Sequence, residues 1–154
     1  MKLTKVRGFT VLEILLVIVI VGILGAAAMY SLNTTRAGNR DAKRASDVGL
    51  VQAGLTKYWL TKATYPVLEL TALGKAGANA DVLTTDGFRP KDQVTGDVLL
   101  EQMPVGPSTN EYYLYHGSAN GYSLKFVTEK VTAYGPAGSY YVHSNGVDKI
   151  DAEK

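Results

Sequence analysis

The chain has 154 residues, 16 basic against 14 acidic, and no cysteine, so disulfides, cysteine-ligated zinc and thiol nucleophiles are excluded. Its length suits one modest domain with an appended segment. Lys2, Lys5 and Arg7 precede the first apolar run; without them 13 basic residues stand against 14 acidic, a net charge of −1, so overall charge points to no nucleic-acid-binding surface.

The first predicted element starts inside KVRGFTVLEILLVIVIVGILG, which begins at Lys5. No charged residue occurs from Ile14 to Thr35, about the ~20 residues that cross a hydrocarbon core. The run is apolar all round, as a lipid-embedded helix should be. Basic residues ahead of it predict a cytoplasmic start with the rest of the chain outside. Small residues at Ala26-Ala27-Ala28 also suit an ordinary secretory signal peptide, and the run alone suits a plain single-pass anchor. Neither gives Glu13 a purpose. An acidic residue costs roughly 2.5–3.5 kcal/mol at the centre of an inserted helix, less nearer an interface.

The stretch RGFTVLEILLVIVIVGILG resembles the N-terminus of type IV prepilins and the related pseudopilins. In that family a short basic leader ends in Gly, and a membrane-bound prepilin peptidase cuts after it on the cytoplasmic side. The new N-terminal residue is commonly Phe and becomes N-methylated, and a glutamate stands fifth in the mature chain. The resemblance places the cut between Gly8 and Phe9, with Phe9 as the methylated residue; Glu13 is fifth from Phe9. It divides the chain into a leader at 1–8, a transmembrane and filament-core helix at 9–32, and a head at 33–154 that includes the amphipathic half of the helix. Cleavage leaves the apolar helix on the mature protein and creates an α-amine with an ordinary pKa of roughly 7.7–8. That amine can pair with a neighbour's Glu13, and a wrong register would leave a buried charge unpaired. Many bacterial pilins carry a helix-breaking Pro where this chain has Tyr30. Gly22 and Gly25 either weaken the helix, at about 1 kcal/mol each relative to Ala, or form a small-residue surface for helix packing.

The segment NTTRAGNRDAKRASDVGLVQAGLTKYWLTKATYPV lacks Pro before Pro66, so the helix can continue out of the membrane. Val48, Val51, Leu55 and Tyr58 recur at steps of three or four, with Trp59 beside them. The spacing predicts one helix over about 9–61, ended by Tyr65-Pro66 because the residue before Pro avoids the α region. The block Arg36, Arg40, Asp41, Lys43, Arg44 and Asp47 reads either as a solvated helix face or as partners for neighbouring subunits, Asp41 and Asp47 facing a neighbour's basic residues. RDAKRASD, an amphipathic helix and then TYP again resemble many pilins and pseudopilins. The sequon Asn33-Thr34-Thr35 falls at the membrane exit of this helix and is read as chance.

From Val67 to Pro107 the chain is rich in Gly, Ala, Thr and Asp, with turn signals at Asp86-Gly87, Gly96-Asp97 and Pro104–Pro107. It reads as a loop region with a brief helical piece near Leu68–Gly74 and short strands near Asp97–Leu100. The runs NEYYLYHG, GYSLKFVTE and GSYYVHSNG are strand-like. Alternation puts Tyr122, Leu124 and Phe126 on one face and Ser123 and Lys125 opposite, and Ser118–Gly121 turns the chain between the first two runs. Three or four antiparallel strands laid on the apolar stripe of the helix complete an α+β, type IV pilin-like fold. The clustered Tyr112, Tyr113, Tyr115, Tyr140 and Tyr141 belong to core and subunit packing, and the tail after Gly146 is read as peripheral.

No phosphate loop or nucleophile elbow occurs. His116 and His143 lack a spaced partner set and read as solvent-facing strand residues, so no catalytic residue and no metal ligand is assigned and the chain is not read as an enzyme. Major pseudopilins, which the chain also resembles, bind calcium in a C-terminal loop. Asp81, Asp86, Asp92 and Asp97, with Asp148 and Asp151, are the carboxylates available, and calcium needs six to eight oxygens converging on one point. Scattered, solvated carboxylates are the competing reading.

The resemblance implies a filament subunit that polymerises with itself through its hydrophobic helix and whose filament serves adhesion, motility or uptake. Its partners would be the bilayer before assembly, prepilin peptidase, and pilus or secretion machinery in the membrane. A major pseudopilin of a type II secretion system, forming a periplasmic pseudopilus, is the alternative. A monomeric anchored or secreted binding domain, cleaved after Ala28 or not at all, is a third reading. The pilin family's usual C-terminal cysteine pair is missing, which leaves that region to packing, a metal, or neighbours.

Overall fold

The computed structural model describes residues 8–152. Its element order is one helix, α1 (Val11–Lys62), and eight strands: β1 (Leu68–Ala72), β2 (Val82–Thr84), β3 (Gly87–Arg89), β4 (Val98–Leu100), β5 (Leu114–Gly117), β6 (Tyr122–Thr128), β7 (Gly138–His143) and β8 (Gly146–Asp148). The chain divides into two compact units, the first ending at Arg36 and the second running from Ala37.

α1 starts where Thr10 accepts the Glu13 amide on its hydroxyl at 3.2 Å, satisfying one of the orphan donors of the first turn. It ends at Lys62, and Ala63 adopts a left-handed φ of 55° with its amide returned to the Trp59 carbonyl at 2.7 Å. Pro66 then forbids continuation.

In the second unit β1, β5, β6, β7 and β8 form one antiparallel sheet in the order β1-β5-β6-β7-β8, and β3, β2 and β4 form another. β5 to β8 are the expected meander, and the Ser118 amide donates to the Gly121 carbonyl at 2.9 Å to close the predicted turn. Val48, Val51, Leu55 and Tyr58 are buried in one cluster with Leu83, Tyr115, Leu124 and Phe126. Trp59 remains outside it, 45% exposed. Tyr113, Tyr115, Tyr122 and Tyr140 are among the largest fully buried side chains. Each of these four tyrosines donates its hydroxyl to an acceptor, the Asp47 carboxylate and the carbonyls of Pro66, His143 and Pro136 respectively. Burial pushes the Tyr122 hydroxyl up to about 12. Two glycines permit close approach: a Cβ at Gly54 would come 3.3 Å from a Leu83 methyl, and one at Gly117 would collide with the Tyr115 hydroxyl and the Pro66 carbonyl.

Four expectations are corrected here. The piece near Leu68–Gly74 is not helical: Leu68–Ala72 is the edge strand β1, because Pro66 favours an extended start and β5 supplies a pairing edge, Thr71 opposite Tyr115 and Ala72 opposite Leu114. The supposed loop region also contains the hairpin β2–β3, with Leu83 opposite Phe88 around the Asp86-Gly87 turn. Ser123 is buried although it faces away from Leu124, because the chain end crosses it and its hydroxyl donates to Asp151 at 2.8 Å. His143 is 1% exposed, not solvent-facing: its Nδ1 donates to the Tyr122 carbonyl at 3.0 Å and its Nε2 lies 3.1 Å from Asp148. The tail is therefore a fifth strand of the larger sheet and a cover for β6.

Candidate functional site

In the first unit the residues from Gly8 to Asn33 are all exposed, and α1 is the one helix among the described residues long and apolar enough to cross a membrane. Hydrocarbon side chains on every face of a helix require lipid or other helices around them. Gly8 and Phe9 lie just ahead of the helix, and Met1 to Arg7, the rest of the expected leader, lie outside the described residues. Glu13 sits in the first turn three residues after the capping Thr10, the Thr-x-x-Glu spacing of a capping box. A carboxylate there also meets the positive end of the helix dipole. Sequence reasoning missed this local role, although Thr10 and Glu13 display it. Gly22 and Gly25 lie within the helix, which runs through both unbroken, and a Cβ at either would meet nothing within 4 Å.

The charged block of α1 does something neither reading anticipated. Asp41 and Arg44 are buried within their own subunit. The Asp41 carboxylate accepts the Glu129 amide at 2.9 and 3.0 Å and the Lys130 amide at 2.9 Å, fastening the turn after β6 to the helix. Arg44 is 3% exposed and directs every N–H to an oxygen. Its Nε and Nη2 hold Glu111 at 2.5 and 2.8 Å, its Nη1 holds Asp41 at 2.8 Å and Glu129 at 2.7 Å, and Nη2 also reaches Ser108 at 3.4 Å. Arg40 forks onto Glu129 from the outside. Lys43 pairs with Asp47 at 2.6 Å, and Asp47 in turn accepts the Tyr113 hydroxyl at 2.8 Å.

The electrostatics follow from these contacts. Hydrogen bonds from Arg40, then Arg44, pull the Glu129 carboxyl down to about 2. Arg44 likewise holds Glu111 below the usual carboxylate range, while Glu111 and its fellow carboxylates raise the Arg44 guanidinium. Burial, then the Asp47 carboxylate, raises the Tyr113 hydroxyl. A signal for this clasp existed: positions 41, 44, 48, 51, 55 and 58 continue one stripe at steps of three and four, so Asp41 and Arg44 share the face of the apolar core residues.

The carboxylates considered for calcium do not come together. Asp81 accepts the Lys91 amide at 3.3 Å, Asp86, Asp92 and Asp97 are exposed, Asp148 holds His143 and the Ile150 amide, and Asp151 holds Ser123. Among the described residues no three His, Cys, Asp or Glu side chains are placed to hold a metal ion.

A long capped helix, apolar over its first half and followed by small antiparallel sheets, is the construction of a type IV pilin-like subunit. Comparison with known proteins narrows this. The type II secretion system core protein G of Klebsiella michiganensis is 38% identical over 126 residues, 79% of this chain and 81% of that protein. That of Dickeya chrysanthemi is 31% identical over 134 residues, 86% and 78% of the two chains. That of Vibrio cholerae is 28% identical over 117 residues, 75% of each. The chain belongs to the type II secretion system core protein G family, the pseudopilins of type IV pilin-like build. No family model matches it, and no solved structure matches it significantly. Of the two filament readings, the pseudopilin is the one these relatives carry.

Proposed function

We propose that the chain is a repeating structural subunit of a type II secretion pseudopilus and not an enzyme. The precursor is held in the cytoplasmic membrane by its apolar helix with the head on the periplasmic side. A prepilin peptidase cuts between Gly8 and Phe9, and the methylated Phe9 amine pairs with Glu13 of a neighbour as subunits leave the bilayer. One apolar surface then serves two surroundings in turn, lipid first and the filament core afterwards. The observation that carries this reading is the exposed, apolar first half of α1, residues 11–33, with Glu13 as its one carboxylate, in a chain of this family.

The capping position of Glu13 supplies the test. Gln serves a capping box as well as Glu does, so Glu13→Gln keeps the helix start and removes only the charge. In cells that assemble pseudopili, Glu13→Gln and Glu13→Ala precursors should both insert in the membrane and both fail to assemble. Normal filaments from Glu13→Gln would show that Glu13 is a cap and refute the pairing.

A further inference from the structure

Three carboxylates, Asp41 on α1, Glu111 on the loop before β5 and Glu129 on the turn after β6, meet around a single buried group. Oxygens gathered this way from separate segments repel one another, and such a cluster needs a cation at its centre. That centre is the Arg44 guanidinium, with its five N–H donors all directed to oxygens. With Arg40 on the outer side of Glu129 the site holds two positive charges against three negative ones, the balance a divalent ion would give.

We propose that this head carries its structural cation covalently: Arg44 stands in the chain for the metal ion that the resemblance leads one to expect, and the folded head needs no calcium. Several observations converge on it. The aspartates considered for calcium are dispersed or already hold other donors. The chain has no cysteine with which to staple its C-terminal region. The clasp does the work of a staple, because it fastens two loops to the helix across 67 and 85 residues of sequence. A planar fork is also better suited than an ammonium to hold Glu111 through both oxygens. The inference concerns the head alone and holds whether or not Phe9 becomes the N-terminus.

Thermal melts of the full chain in detergent micelles test it. A metal site saturated at a hundred times its Kd would raise Tm by roughly 10 °C. We expect wild type to melt at the same temperature in EDTA and in millimolar calcium chloride. A clear fall in EDTA, or a rise with calcium, overturns the proposal. Arg44→Ala should lower Tm by roughly 10–15 °C, the loss expected for one partner of a buried charge cluster. Millimolar guanidinium chloride should restore a large part of that loss, and sodium chloride at equal ionic strength should not. Failure of guanidinium to restore any of it would show that packing was what the variant lost, and would likewise overturn the proposal. If Arg44→Ala does not fold, the wild-type comparison in EDTA and calcium decides alone.

Discussion

Asp41→Ala probes the clasp from its other side. The carboxylate accepts two backbone amides, Glu129 and Lys130, and one Arg44 N–H, all at 2.8–3.0 Å. Hydrogen bonds to a charged group contribute roughly 1.5–3 kcal/mol each. Arg44 retains Glu111 and Glu129 in the variant, and the turn after β6 is open to water, which can solvate the two released amides. The two amides therefore count at the low end of the range, about 3 kcal/mol together, and the Arg44 N–H, whose guanidinium keeps its other partners, adds at most about 1, for about 3–4 kcal/mol in all. For a head of this size that corresponds to a Tm lower by roughly 10–14 °C. Urea unfolding followed by the single Trp59 gives the free energy, and hydrogen exchange gives the location: the Glu129 and Lys130 amides should exchange faster while those of β6 change little. Asp41→Asn, which keeps an acceptor and loses the charge, should fall between. A loss below about 1 kcal/mol with unchanged exchange would refute the reasoning, because these contacts would then be ones that water replaces at no cost.

Glu129 titrates at about 2 in the folded head against an ordinary 4.5, so its stabilisation is complete above about pH 4.5 and disappears as the pH falls towards 2. Its side chain is 33% exposed, so solvent screening leaves about 1 kcal/mol of this; acid melts should show a steeper fall for wild type than for Glu129→Gln, and parallel curves would dismiss the ion pairs. Leu55, fully buried in the core cluster, should cost about 2–5 kcal/mol when cut to Ala, measured by urea unfolding; a value under 1 kcal/mol would mean that the helix stripe does not seat the sheets.

The membrane-seeking part of this protein was readable because it needs no partner within the chain to declare itself. A charge-free run from Ile14 to Thr35 is unambiguous in composition. The stripe from Val48 to Tyr58 was readable for a similar reason, since helical spacing repeats locally. The clasp was not. Arg44 meets Glu111 and Glu129 only after the sheet forms, so the stripe that puts Asp41 and Arg44 on the core face does not show which distant carboxylates answer the guanidinium. The hairpin β2–β3 escaped because three-residue strands are too short to show alternation, although the Asp86-Gly87 turn between them was visible. His143 looked solvent-facing because the chain end that covers it carries no apolar run to mark it as packed.

Mass spectrometry of the N-terminal peptide from protein recovered in the membrane and in assembled filaments bears most directly on the pseudopilus reading. The account predicts a mature chain beginning with N-methylated Phe9, with Glu13 unmodified and the apolar helix still attached. A chain beginning at Met29, or one that keeps Met1 to Gly8 in filaments, would contradict it.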